Sequence, residues 1–205
     1  MEDPMRFWEQ RYEDPEYTYG VKPNRFFQQQ LDAVEKPGRL LLLAEGEGRN
    51  AVYAATQGWH VMAVDFSENA RKKALALARQ EGVKMEYILA DIQQFDISAH
   101  GKWDMIGLIY AHFPPDWRAT MHQKCAEVLA PGGSLILEAF NPKQLTRRSG
   151  GPKNRDWLYA QSMLLQDFEA LEPITCIEST VFLQEGIGHD GLGEVVRGHF
   201  RKNQP

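Results

Sequence analysis

A doubly wound α/β sheet is the fold this sequence predicts, and three observations predict it. Short apolar runs recur along the chain, the stretches between them have helical spacing, and a glycine-rich turn follows the first run. At 205 residues there is room for one large domain, but not for a nucleotide-binding domain plus a separate catalytic one. We therefore read residues 1–205 as a single domain, with 1–35 an N-terminal helical cap or lid and 36–205 the α/β core.

The elements follow in order. The first 35 residues crowd Phe7, Trp8, Tyr12, Tyr17, Tyr19, Phe26 and Phe27 ahead of the first core strand, as a helix packed on the sheet or as a lid over a ligand. Five runs, "RLLLLAE" (39–45), "HVMAVD" (60–65), "KMEYILAD" (84–91), "WDMIGLIY" (103–110) and "SLILEAF" (134–140), have the length and apolarity of buried parallel strands. Between them "RNAVYAATQG" stops at Gly58, and "SENARKKALALARQEG" is capped by Ser67 and Gly82. "PDWRATMHQKCAEVLAPGG" sets Trp117, Met121, Cys125, Val128 and Leu129 on one helical face before it ends at Pro131-Gly132-Gly133. A further helix is expected near 155–171. The strand-like "ITCIESTVFLQEG" and "EVVRGHFRK", divided by "GIGHDGLG", then read as an antiparallel hairpin at the sheet edge.

Composition narrows the function. A formal charge of −5 argues against a nucleic-acid or anionic-membrane surface. With neither a signal peptide nor an 18-residue apolar run, the sequence reads as cytoplasmic, acting on a small-molecule partner as a monomer or homodimer. Cys125 and Cys176 fall in a helix face and a strand, so they read as buried small hydrophobes rather than as a disulfide, metal ligands or a nucleophile.

The turn carries the chemistry. In "LLLLAEGEGRNA" (40–51), Gly46, Gly48 and Ala51 satisfy G-x-G-x-x-G/A, and Asp65 ends the next strand about 20 residues on, where a ribose-binding carboxylate belongs. Such a pattern suits a dinucleotide, and an NAD(P)-dependent oxidoreductase is one reading. Glu45 and Glu47 would repel a pyrophosphate, whereas an adenosyl ligand with a cationic end suits them. The same residues also suit a plain strand-to-helix turn, with Asp65 capping the helix that opens near Ser67.

Seven segments in order, "FWEQRY…YTYGVKPN", "LLLAEGEGRNA", "VMAVDFS", "YILADIQQFDI", "IYAHFPP", "LAPGGSLILEAFNPKQL" and "GGPK", resemble class I S-adenosylmethionine-dependent methyltransferases. The resemblance is closest to small bacterial tellurite-resistance and thiopurine-methyltransferase-like enzymes, and it covers essentially the whole chain. It implies a Rossmann-like mixed sheet of seven strands with a C-terminal antiparallel hairpin strand, and S-adenosyl-L-methionine as cofactor. It also implies that Glu45, Gly46 and Gly48 approach the methionine part, Asp65 the ribose hydroxyls and Phe66 the adenine. Asp91 and Ile92 would hold the adenine edge, Tyr110 and Ala111 the floor under the sulfonium, and Arg11 the cofactor carboxylate.

Methyl transfer is an in-line displacement that needs no metal and no covalent enzyme intermediate, and positioning does most of it. A thiolate or chalcogen oxyanion would need no general base. Where a base is used, His112 at the end of the fourth strand is the candidate, though the same histidine suits a loop hydrogen bond. Glu185 and His189 form a second polar pair whose simplest reading is turn chemistry. Phe140 and Lys153 are expected on the substrate side, with Arg147 and Arg148 either drawing an anion or solvated, and "SGGPK" as a mobile loop. A non-catalytic S-adenosylmethionine-binding protein is the remaining alternative.

Overall fold

The computed structural model describes residues 4–204. Two helices, α1 (Pro4–Arg11) and α2 (Arg25–Asp32), precede β1 (Arg39–Leu43), α3 (Arg49–Thr56), β2 (His60–Asp65), α4 (Glu68–Gln80) and β3 (Glu86–Leu89). There follow β4 (Trp103–Ile109), α5 (Pro115–Val128), β5 (Leu129–Phe140), α6 (Gln161–Asp167), β6 (Glu172–Glu185) and β7 (His189–Arg201). The seven strands form one sheet in the order β3-β2-β1-β4-β5-β7-β6. β7 runs antiparallel between β5 and β6, while β1 to β5 are parallel. The order reverses between β1 and β4, and a crevice at the carboxyl ends of those strands is where such sheets bind ligands.

Side chains alternate across the sheet, which explains the continuous apolar runs of the parallel strands. Leu41, Leu43, Met62, Val64, Ile106 and Leu108 pack toward Met121, Cys125 and Phe168. Leu40, Leu42, Val61, Ala63 and Ile109 pack toward Phe26, Phe27, Leu31, Ala51 and Ala54. α2 is therefore core packing on one face. Both cysteines are free and buried, and burial pushes their thiols up to about 12 for Cys125 and about 11 for Cys176.

Three sequence expectations are corrected. Leu129 does not continue the face of α5 but opens β5, because Leu129 adopts an extended backbone and pairs with Trp103. The helix expected near 155–171 is a 3₁₀ turn, Arg155–Trp157, and the short α6. Between them the buried Leu158 and Tyr159 run extended, with the Tyr159 N–H on the Phe140 carbonyl at 3.0 Å. The hairpin connection is shorter than "GIGHDGLG": only 186–188 form the turn, and Asp190 to Gly193 pair with β6. Ser67 caps α4 as expected, accepting from the Ala70 N–H, and Gly82 follows the C-cap residue Glu81. Among the described residues no helix is long and apolar enough to cross a membrane.

Candidate active site

The turn after β1 needs its glycines. Gly46 has φ +60° and a side chain there would stand 2.8 Å from the Tyr12 hydroxyl; Gly48 has φ +86° and lies against Ala74 of α4. At the ends of the two strands flanking the switch point, Ala44 and Tyr110 also hold positive φ, at 54° and 55°. Non-glycine residues seldom do, and such strain concentrates at functional sites.

Glu45 turns its carboxylate into the start of α3, where Oε1 accepts from the N–H groups of Asn50 at 2.9 Å and Ala51 at 2.7 Å. Burial pushes its pKa up to about 7 against those bonds. Asp65 Oδ2 accepts from the Gly46 N–H at 2.9 Å and Oδ1 from the Ser67 N–H at 3.0 Å, so the end of β2 and the turn are joined. Burial raises the Asp65 pKa too, with the backbone bonds opposing. Neither carboxylate has an ion-pair partner among the described residues. Glu47 differs, since it pairs with Lys73 at 2.7 Å and accepts from the N–H groups of Thr18 and Tyr19. Two unpaired buried carboxylates beside a glycine turn fit a cationic adenosyl ligand and disfavour a pyrophosphate.

Beside Asp65 lies the half-buried Phe66, and β3 leads into Asp91, whose carboxylate accepts from the Gln93 N–H at 3.0 Å. Ile92 is buried against the core. At the end of β4, the Tyr110 hydroxyl donates to Glu138 Oε1 at 2.7 Å, and the Ala111 carbonyl accepts from the Tyr159 hydroxyl at 3.1 Å. His112 is engaged on both sides of its ring. Nδ1–H donates to the Trp157 carbonyl at 2.6 Å and Nε2 accepts from the Phe140 N–H at 3.2 Å, while burial lowers its pKa to about 4. The ring therefore clamps three segments together and offers no open lone pair.

Glu138, Asn24 and Arg49 went unread in the sequence, whereas Glu185 and His189 were read there as a polar pair of the turn. Glu138, 1% exposed, accepts from Asn24 Nδ2 at 2.6 Å and pairs with Arg197 at 2.6 Å. Its signal was present, because it is the one charge within the apolar run of β5. Arg49 pairs with Glu185 Oε2 at 3.0 Å, and the same oxygen accepts from His189 Nδ1–H at 3.1 Å. Although burial pushes the Glu185 carboxyl up, His189 and Arg49 hold it down at about 2. The hairpin tip thus reaches over the crevice, where the His189 ring lies 4.4 Å from Tyr110 and 5.1 Å from Phe140.

The remaining expected residues lie further out. Arg11 is exposed and donates to the Tyr19 hydroxyl at 3.1 Å, with its guanidinium over the Phe7 ring. Lys153 is exposed and the structure brings it to none of the other site residues. Arg147 pairs with Glu194, and the "SGGPK" loop is tied down by Ser149 on the Leu192 carbonyl and Gln144 on the Gly150 carbonyl. α1 meets the crevice through Glu9, which accepts from the Ser67 hydroxyl and the Asn69 N–H at the start of α4.

A seven-stranded sheet of this order with β7 reversed is the class I methyltransferase fold. Residues 40–133, from β1 to the glycine pair of β5, match the model of the methyltransferase domain family. The ubiquinone biosynthesis O-methyltransferase of Caulobacter sp. (strain K31) is 31% identical over 107 residues, which are 50% of this chain and 41% of that protein. The match therefore spans less than half of that relative's length. TehB from Haemophilus influenzae shares the fold at a TM-score of 0.73 and 17% identity, over 97% of this chain and 67% of that one. NodS from Bradyrhizobium japonicum WM9, an N-methyltransferase solved with S-adenosylhomocysteine, does so at 0.70 and 15% identity, over 98% and 99%.

Proposed function

We propose that this protein transfers the methyl group of S-adenosylmethionine to a small-molecule nucleophile. One observation carries the reading: the glycine turn after β1 is hydrogen-bonded to Asp65 at the end of β2, and neither Asp65 nor Glu45 has an ion-pair partner among the described residues. When bound, S-adenosylmethionine supplies the electrophilic methyl group and two positive charges. Glu45, Gly46 and Gly48 face its methionine part in this reading, and Asp65 takes the ribose hydroxyls. Phe66, Asp91 and Ile92 hold the adenine, with Tyr110 and Ala111 beneath the sulfonium and Arg11 toward the carboxylate once the N-terminal segment closes. Residues 1–35 act as the cap of a single domain. Phe140 and Lys153 stand on the acceptor side.

Most of the rate comes from holding the two reactants in a near-attack arrangement, worth roughly 7–11 kcal/mol. His112 contributes as a positioning residue, because its clamp on Trp157 and Phe140 sets the walls of the crevice. Calorimetric titration of the full chain with S-adenosylhomocysteine tests the reading. Saturable one-to-one binding supports it, and absence of binding refutes it.

A further inference from the structure

We propose that the methyl acceptor is an uncharged aromatic ring bearing a weakly acidic hydroxyl, and that His189 takes the hydroxyl proton as a catalytic residue. The assignment rests on the methyltransferase reading and narrows it. Three independent features carry it: an oriented imidazole, a wall of rings, and the arrangement of charges.

The imidazole is built for one task. Its Nδ1–H is fixed on Glu185 Oε2, which places the lone pair on Nε2, and Nε2 has no hydrogen bond among the described residues. Gly150 packs on this edge of the ring; a side chain there would come within 2.7 Å of Cδ2 and 3.4 Å of Nε2, so any residue but glycine would crowd the imidazole. The groups facing His189 are Glu185 on its own hairpin, Arg49 at the start of α3, Tyr19 of the N-terminal segment, Tyr110 of β4 and Glu138 of β5. A carboxylate on one nitrogen and an open lone pair on the other is the arrangement of a general base. An acceptor already anionic would have no use for it.

The walls favour a planar acceptor. Tyr19 and Tyr110 lie 4.5 and 4.4 Å from the His189 ring, and Phe140 lies 4.8 Å from Tyr110. Phe140 and His189 are buried, while Tyr19 and Tyr110 are half-buried, and the ring surface these two leave uncovered suits an aromatic guest. Charge disfavours an anion. Arg49 is paired with Glu185, Arg197 with Glu138 and Lys73 with Glu47, so the buried Arg49 and the half-buried Arg197 and Lys73 are each matched to a carboxylate. A selenite or tellurite ion would meet no unpaired cation among these three.

In the transfer step the acceptor oxygen forms a bond to the methyl carbon while the carbon–sulfur bond breaks and its electron pair passes to sulfur. The hydroxyl proton passes to Nε2, and Glu185 stabilises the imidazolium until it releases the proton to water. Glu185 is thus a positioning residue.

The full chain is assayed for S-adenosylhomocysteine release with catechol, thiophenol and selenite as acceptors, alongside calorimetry with S-adenosylhomocysteine. Catechol should be methylated, and His189→Gln should slow that reaction by about 10²-fold or more with unchanged S-adenosylhomocysteine binding. Glu185→Gln, by removing the partner of the imidazolium, should move the inflection of the pH–rate profile to lower pH. Full catechol activity in His189→Gln overturns the role of His189. Turnover of selenite or thiophenol without catechol, or of no acceptor by protein that binds S-adenosylhomocysteine, overturns the acceptor class. A chain that fails to bind S-adenosylhomocysteine removes the methyltransferase reading and this assignment with it.

Discussion

The Gly46 N–H donates to Asp65 Oδ2 at 2.9 Å, which ties the turn after β1 to the end of β2. A buried carboxylate so held already has its geometry fixed before any ligand arrives. Asp65→Ala should therefore remove ligand hydrogen bonds worth about 1.5–3 kcal/mol each and weaken S-adenosylhomocysteine binding at least ~10-fold. Calorimetry on folded Asp65→Ala with wild-type affinity would remove Asp65 from the ribose site.

Glu45 sets a pH dependence of stability. Its folded pKa is raised from 4.5 to about 7, so the chain binds this proton more tightly folded than unfolded. The stabilisation is fully present below pH 4.5 and is lost as pH rises to about 7, a change of about 3 kcal/mol at most. Urea unfolding at pH 5 and pH 8 should show that fall in wild type and a smaller one in Glu45→Gln. Equal slopes in the two proteins would mean that Glu45 is ionised throughout.

His112 works in the opposite sense. Its folded pKa is lowered to about 4, so its contribution holds above pH 6.5 and is lost as pH falls through about 4. His112→Ala leaves the Trp157 carbonyl and the Phe140 N–H without this partner and should cost about 1–3 kcal/mol. The mutant should also lose part of the acid sensitivity of Tm between pH 7 and 4. A variant as stable as wild type would show that the clamp has no energetic weight.

The N-terminal segment should respond to ligand in two parts. Thr18 and Tyr19 are held by two N–H bonds to Glu47, whereas Phe26 and Phe27 of α2 are buried in the core. Amides of residues 7–17 should exchange quickly in the free protein and slow with S-adenosylhomocysteine, while those of Thr18, Tyr19, Phe26 and Phe27 stay protected in both. Identical protection of 7–17 with and without ligand would make the segment fixed packing rather than a lid.

Local signals made the sheet legible. Apolar runs of strand length, the Ser67 cap and the glycines of the first turn each act within a few residues, so the five parallel strands and the terminal antiparallel hairpin were legible, but not the order of strands in the sheet. Where a boundary depended on a distant partner it was not legible: Leu129 joins β5 because Trp103 pairs with it, and 158–159 run extended because Phe140 accepts from Tyr159. The same holds for the site. Asp65 and the turn are read from spacing, but Arg49 and Glu185 meet across 136 positions and Asn24 and Glu138 across 114. No sequence period encodes such pairs.

A crevice between β1 and β4 built for a cationic adenosyl ligand should reject a dinucleotide. Parallel calorimetric titrations of the full chain with S-adenosylhomocysteine and with NAD test it most directly. Saturable one-to-one binding of S-adenosylhomocysteine, with no binding of NAD at the same concentration, is the result predicted. Saturable binding of NAD without binding of S-adenosylhomocysteine would contradict it.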